Sequence, residues 1–355
     1  MPRQSRQNPT IREFILRNVA EHPRDINVVA AKQFGISRAA TGRYTAKLID
    51  EGLLIAEGKT RSRIYKLKSL AHVAFELDVN QAMSEDTVWR FRILPSVKGV
   101  PQNVVNICQY GFTEILNNVI DHSESVDVYI SYSQTYKNIE ILICDRGIGI
   151  FAKIRKDFNL PDARSALLEL SKGKLTSNTT RHTGEGIFFT SRMFDEFSIR
   201  SGNLLYTRVK QKDADWLVET QDLFEYCQGT RVNMVISTDA AWTTKEVFDQ
   251  YRGDDVRFRR THVPIKLGLY PGEQLVSRSQ AKRILSRFEN FSEVLLDFSG
   301  VEGIGQAFAD EIFRVFASDH PEIALVAINT DPEVKRSIDA AQAMQRQASL
   351  RAPQV

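Results

Sequence analysis

Three cysteines in 355 residues, widely separated, leave this chain without a disulfide framework and without the paired spacing of a zinc site. Cys108, Cys144 and Cys227 read as packed thiols. Long apolar runs are missing as well. None approaches the ~20 residues that a membrane helix requires, and the start, Met-Pro-Arg-Gln-Ser-Arg-Gln, has no apolar core of the signal-peptide kind. A cytoplasmic protein with no membrane partner is expected. A phosphate-binding loop of the Gly-x-x-x-x-Gly-Lys-Ser/Thr type is also absent, so any nucleotide site must be built in another way. Net charge is only +3, but it is unevenly spread. Residues 1–70 hold fourteen Lys/Arg against six Asp/Glu, which concentrates positive potential at one end, where nucleic acid is a natural partner.

What is present begins with two short helical patterns, Thr10–Val19 and Asn27–Phe34, the second stopped by Gly35. Ser37 is a good N-cap for a third helix reaching Glu51, with Ala40, Tyr44 and Leu48 on one face and Arg38, Arg43 and Lys47 left for the others. Leu53–Ala56 and Arg61–Leu67 flank a turn and suggest a hairpin. This order of elements resembles a winged helix-turn-helix. The resemblance implies that Ser37–Glu51 enters the DNA major groove and that Lys59, Arg61 and Arg63 neutralise phosphates. A winged helix that docks protein is the competing reading.

Three blocks in the middle of the chain carry the chemistry. Glu114, Asn118 and His122 are four apart and share one face of a helix spanning Gln102–His122, with Ile115, Val119 and Ile120 left for the other side. Asp145 ends the apolar strand Ile139–Asp145, and Gly147 and Gly149 follow in a turn that lets backbone approach a ligand. Thr183, Gly184 and Gly186 then open a second helix, whose free amides attract phosphate. Together these blocks resemble the N box and glycine boxes of the GHKL ATPase superfamily, in the form found in anti-sigma-factor kinases, over about residues 75–238. The resemblance implies an ATP site in which Asn118 offers an oxygen to Mg²⁺. Asp145 would accept from the adenine amine, Gly147 and Gly149 would let the backbone close on the base, and Gly184 and Gly186 would supply amides to the phosphates. Glu114 would orient or deprotonate the attacking hydroxyl. His122 reads equally as a nucleotide contact or as a helix-capping or core histidine. Ser171–His182 is the expected lid, with Lys172, Lys174 and Arg181 as candidate phosphate contacts.

Residues 262–330 alternate strand and helix: Val263–Leu267, Ser277–Phe288, Val294–Phe298, Gln306–Phe316 and Ile323–Ile328, with a last helix from Asp331. Leu295–Glu311 resembles STAS-like domains related to anti-sigma-factor antagonists. There the loop carries a phosphorylatable serine, but here Gln306-Ala307 stands in its place, which disfavours phosphoryl transfer to that site. Ser299 reads as a turn residue.

The fold expected is therefore multidomain, α+β and α/β. It comprises a winged helix at 8–68, a GHKL (Bergerat-type) α/β sandwich at 75–238, a small STAS-like α/β domain at 262–342, and a flexible tail at 343–355. The stretch around Ser69–Asp86 reads as linker. The expected function is an ATP-binding, slowly hydrolysing DNA-binding regulator of transcription that uses ATP and Mg²⁺. The alternatives are a serine/threonine protein kinase of the anti-sigma-factor type acting on a separate partner, and a dimerising chaperone or DNA-repair ATPase. A histidine kinase fits less well, because His72 lies in a strand-like segment close to Glu114. Protein partners at the ATPase or STAS-like domain, and a homodimer, stay open.

Overall fold

The computed structural model describes residues 10–59, 62–80, 83–175, 184–212, 214–219, 226–252, 258–270 and 272–351. Its first unit opens with helix α1, Ile11–Asn18, fixed by a capping box in which Thr10 and Glu13 satisfy each other's amides. Helix α2, Ile26–Phe34, ends at Gly35 with φ 64°, the left-handed stop that glycine adopts without strain. Helix α3, Arg38–Asp50, starts where the Ser37 hydroxyl accepts the Ala40 amide. Strands β1, Leu54–Glu57, and β2, Ile64–Leu67, then pair antiparallel. Ile15, Leu16, Val19, Ile26, Ala30, Leu48 and Leu54 form a separate small core.

The inner face of α3 differs from the expectation. Leu48 is buried, but its companions are Thr41 and Thr45, while Tyr44 is 40% exposed. The threonines bury their methyl groups and turn their hydroxyls onto α2, to the Asn27 carbonyl (2.8 Å) and the Asn27 side-chain oxygen (3.2 Å). A buried hydroxyl so satisfied carries little penalty, which leaves Tyr44 free to face outward.

The central unit is a seven-stranded antiparallel sheet covered by helices. In chain order it runs β3 (Ala71–Asp78), α4 (Glu85–Val88), a π-helical turn (Trp89–Ile93) and α5 (Gln102–His122). Then come β4 (Asp127–Gln134), β5 (Asn138–Asp145), α6 (Ile150–Asp157), α7 (Ala163–Lys172) and α8 (Gly186–Met193). Strands β6 (Glu196–Gly202), β7 (Leu204–Val209), β8 (Ala214–Glu219) and β9 (Cys227–Ser237), with α9 (Thr244–Tyr251), complete it. The sheet order is β3-β4-β5-β9-β6-β7-β8. The supposed linker at 69–86 thus contains an edge strand, Ala71–Asp78, paired along its whole length with β4, and the start of a helix turn at Glu85. Every second residue of β4 and β5 is buried, as a sheet with one covered face requires. Phe112, Leu116 and Val119 of α5 join Ile130, Ile141, Ile143 and Met234 in that core.

The third unit has a parallel sheet of order β10-β11-β12, from β10 (Arg260–Pro264), β11 (Glu293–Asp297) and β12 (Ala324–Ile328). Its helices are α10 (Arg278–Leu285), α11 (Gln306–Asp310), α12 (Ala317–Asp319) and α13 (Pro332–Arg351), with a π-helical turn at Glu311–Phe316 after α11. The first strand lies earlier than the expected Val263–Leu267. Pro264 has no amide to extend a ladder, and the chain turns into a 3₁₀ helix, Ile265–Gly268. Helix α13 runs on to Arg351, into the segment expected as a flexible tail, because alanine, glutamine, methionine and arginine are good helix formers whatever their polarity. Buried Asp297 accepts from Ser299, from Asn329 and, at 2.9 Å, pairs with His262. Burial alone would raise this carboxyl, but the hydrogen bonds from His262, Ser299 and Asn329 outweigh it and hold it well below the usual carboxylate range.

One hydrophobic core runs continuously through the second and third units. The first unit is attached more lightly, at the β4–β5 turn. Tyr136 packs against its core, and Arg17 pairs with Asp239 at 2.6 Å and Lys137 with Glu21 at 3.9 Å. Such exposed pairs contribute about 0–1 kcal/mol each.

Candidate functional site: a cavity between α5, α6 and α8

The C-terminal half of α5, the loop after β5 and the start of α8 enclose a cavity of about 410 Å³, within the range of small-molecule sites. Glu114, Asn118, His122, Asp145, Gly149, Gly184 and Gly186 all line it. Three sequence blocks that span more than seventy positions therefore converge on one volume. Ile115 and Val119, which the spacing assigns to the core side, are buried and also contribute to the wall.

Asp145 is 2% exposed at the end of β5. Its Oδ1 accepts from the amides of Gly147 at 2.9 Å and Thr230 at 3.2 Å. Burial pushes this carboxyl above its ordinary range, and the Gly147 and Thr230 bonds only partly oppose that. Gly149 has φ 81° and precedes α6; a Cβ there would stand 2.5 Å from the Ser201 hydroxyl. Gly147 does not line the cavity. A side chain on it would overlap the Ser123 carbonyl, so this glycine serves the close approach of the loop to the end of α5.

Glu114 faces Gly186, where a Cβ would overlap its Oε2. Its carboxyl is raised by burial first and then by the nearby charges of Glu185 and Glu85. Glu185, between the two glycines, is itself raised by burial, while Lys174 and Arg252 pull it down. Gly184 has φ 68°, and its carbonyl accepts the Leu175 amide at 3.1 Å, which ties the two ends of the intervening segment together at the cavity wall. Thr183 and Arg181 lie outside the described residues.

Neither Lys172 nor Lys174, two of the candidate phosphate contacts, is part of the cavity lining. Lys172 is fully buried in α7, bonded to Glu169 at 2.6 Å and to the Ser286 carbonyl at 2.8 Å. Lys174 donates to the Asn290 carbonyl at 2.7 Å. Both are drawn toward the third unit, because apolar α7 packs there; residues 176–182 of the expected lid lie outside the described residues.

Other wall residues escape sequence reading. Thr230 supplies its amide to Asp145 and its hydroxyl oxygen to the Ile150 amide at 2.9 Å, joining β9 to the glycine loop. Only tertiary pairing reveals it, although Gly229-Thr230 at the head of an alternating strand is a weak sign. Lys153, Asp157 and Phe158 of α6 and its exit, together with Asn117 and Asp121 of α5, complete the polar and apolar lining. Among the described residues, no group of three or more His, Cys, Asp or Glu is placed to hold a metal.

On the first unit, Arg38, Arg43 and Lys47 of α3 are exposed, as are Lys59 and Arg63 beside the hairpin. Arg61 lies outside the described residues. Among the described residues no helix is long and apolar enough to cross a membrane.

No curated protein matches the chain. Residues 280–335 match the family model of a STAS-like domain of unknown function (DUF4325), and residues 88–209, which hold α5, the glycine loop and the start of α8, match that of a histidine kinase-like ATPase domain. The chain thus carries a histidine kinase-like ATPase domain of the GHKL type, set in a large antiparallel sheet with helices, followed by a STAS-like domain.

Proposed function

We propose that this protein is an ATP-binding, slowly hydrolysing regulator in which the ATPase and STAS-like domains govern a DNA-binding winged helix. The observation that carries the nucleotide reading is the convergence of Glu114, Asn118, Asp145, Gly184 and Gly186 on one cavity. The residues fit Mg·ATP. A buried carboxylate suits the adenine amine, the Asn118 amide oxygen suits a hard cation that keeps waters and phosphates as its other ligands, and the side-chain-free start of α8 suits phosphate. When bound, Mg²⁺ supplies charge neutralisation at the phosphates. Glu114, raised by burial, is the group that orients or deprotonates the attacking hydroxyl.

Titration of Mg·ATP and measurement of its turnover test this. Asn118→Ala is expected to weaken Mg·ATP binding about tenfold, the effect of one lost ligand. Glu114→Ala is expected to keep binding and lower turnover roughly a hundredfold. Failure of the folded wild type to bind nucleotide would sink the reading.

DNA binding rests on the exposed basic set, Arg38, Arg43, Lys47, Lys59 and Arg63, with Arg61 assigned from sequence. The first unit joins the sheet at the β4–β5 turn, whereas Asp145 is at the far end of the eight-residue β5, about 24 Å away at strand rise. Any coupling therefore runs along the sheet. Operator affinity at one salt concentration is expected to change on adding Mg·ATP; equal affinities would remove the regulatory link, since coupling requires unequal binding to two states. Phosphoryl transfer to the chain's own STAS-like domain is disfavoured. Ala307 has no hydroxyl, and that of Ser299 is bonded to Asp297 at 2.7 Å. A kinase acting on a separate partner is the second reading, which radiolabel on a partner serine would favour.

A further inference from the structure

The turn Ser286–Phe291, which links α10 to β11 of the STAS-like domain, rests on the end of α7. Lys172 reaches the Ser286 carbonyl at 2.8 Å, and Lys174 reaches that of Asn290 at 2.7 Å while lying over the Phe258 and Phe291 rings. Thr261 of β10 donates to the Lys172 carbonyl at 2.7 Å. The central member is Arg287. One guanidinium nitrogen is 3.3 Å from Glu169, and another donates to the Lys174 carbonyl.

That carbonyl belongs to the peptide leading into Leu175, where the nucleotide cavity begins. The Leu175 amide holds the Gly184 carbonyl, and both residues line the cavity. Arg287 is therefore two covalent or hydrogen-bonded steps from Leu175, and its guanidinium lies over the ring of Phe158, another wall residue, at 5.7 Å, although it belongs to another domain. Its backbone has φ 63° and that of Lys174 has φ 52°. Side chains seldom adopt these angles, and a glycine would be unstrained at either position. Strain kept at two facing residues whose side chains both span the boundary points to a role for those side chains.

We infer that Arg287 is a positioning residue of the nucleotide cavity: by gripping Glu169 and the Lys174 carbonyl it fixes the Leu175–Gly184 wall, so that the STAS-like domain acts on the ATPase domain of its own chain. The inference rests on the nucleotide reading for its functional consequence. The competing account is a clamp that stabilises the domain boundary and leaves the cavity indifferent.

Arg287→Gly separates the two. Glycine accepts φ 63° without strain, and Lys172 remains to neutralise Glu169, so the full-length variant should fold. Binding of a fluorescent ATP analogue with Mg²⁺ is expected to weaken about tenfold, as for two lost polar contacts at a wall, with the melting temperature little changed. Hydrogen exchange at the Leu175 and Ile187 amides, read without nucleotide, is expected to rise. Arg287→Lys keeps one charge near Glu169 but cannot span both oxygens, and should fall between. A lowered melting temperature with affinity within twofold and unchanged exchange would overturn the proposal in favour of the clamp. A wild type that binds no analogue would remove the ATP reading alone; the exchange comparison would then decide whether Arg287 positions the wall.

Discussion

Asp145→Asn should abolish selective ATP binding while leaving a protein at least as stable at neutral pH as the wild type. The carboxylate is 2% exposed, and burial holds it above its ordinary range against the pull of the Gly147 and Thr230 amides. A carboxyl raised in the folded state favours folding below its unfolded value of about 3.9, and that advantage is lost as pH rises through the folded value. At pH 7 the ionised group weighs against the fold. Asparagine keeps the oxygen that accepts from Gly147 and Thr230, but the atom facing the cavity becomes a donor. An adenine amine would then meet another donor, with a loss of about 4 kcal/mol, near a thousandfold in affinity. Melting curves at pH 7 and pH 4 together with nucleotide titrations check both halves. The stability gain is expected at pH 7 and should shrink at pH 4. Retention of ATP affinity within a few-fold would show that Asp145 does not read the base.

The legibility of this cavity follows from how its parts are encoded. Glu114, Asn118 and His122 obey the geometry of a single helix, so their shared face can be read from spacing, and α5 spans the expected Gln102–His122. Gly149 and Gly184 have positive φ, a backbone demand that leaves its mark as glycine. Thr230 leaves no such mark, because its role arises only when β9 pairs with β5. The same applies to Lys172. Its position in a lysine- and glycine-rich run suggests a mobile lid, yet the apolar face of α7, with Leu167, Leu168 and Leu170 buried, carries it to the domain boundary. Local polarity was a poor guide there, since a lysine with a carboxylate three residues away can be buried as a pair. Strand β3 was obscured for a related reason: an edge strand with one exposed face has alternating His72, Ala74, Glu76 and Asp78 outward, which dilutes its apolar signal. The boundary role of Arg287 could not be read at all, because nothing local to residues 286–290 refers to residues 169–175.

Gly147→Ala is expected to damage both the fold and the site. The loop 146–148 is laced to the last turn of α5: the Ser123 carbonyl accepts the Ile148 amide at 2.9 Å, and the Ser125 hydroxyl accepts the Arg146 amide at 3.1 Å. A Cβ on Gly147 would overlap the Ser123 carbonyl oxygen and stand 2.7 Å from its carbon and 3.1 Å from the Ser125 amide. These neighbours are backbone held by their own hydrogen bonds, so no side chain can swing aside. Either the loop lifts, which takes the Gly147 amide from Asp145, or the end of α5 shifts, which moves Asn118 and His122. Each route loses about 3 kcal/mol by overpacking and broken bonds, and each dismantles the nucleotide site. Thermal unfolding and ATP titration should therefore fail together. Gly186→Ala supplies the control, since the atom it meets is the end of the flexible Glu114 side chain, which can rotate away. There the fold should persist while turnover drops, because the carboxylate has left its place. If Gly147→Ala melts like the wild type and binds ATP normally, the loop is not held against α5, and Asp145 must be positioned by Thr230 alone.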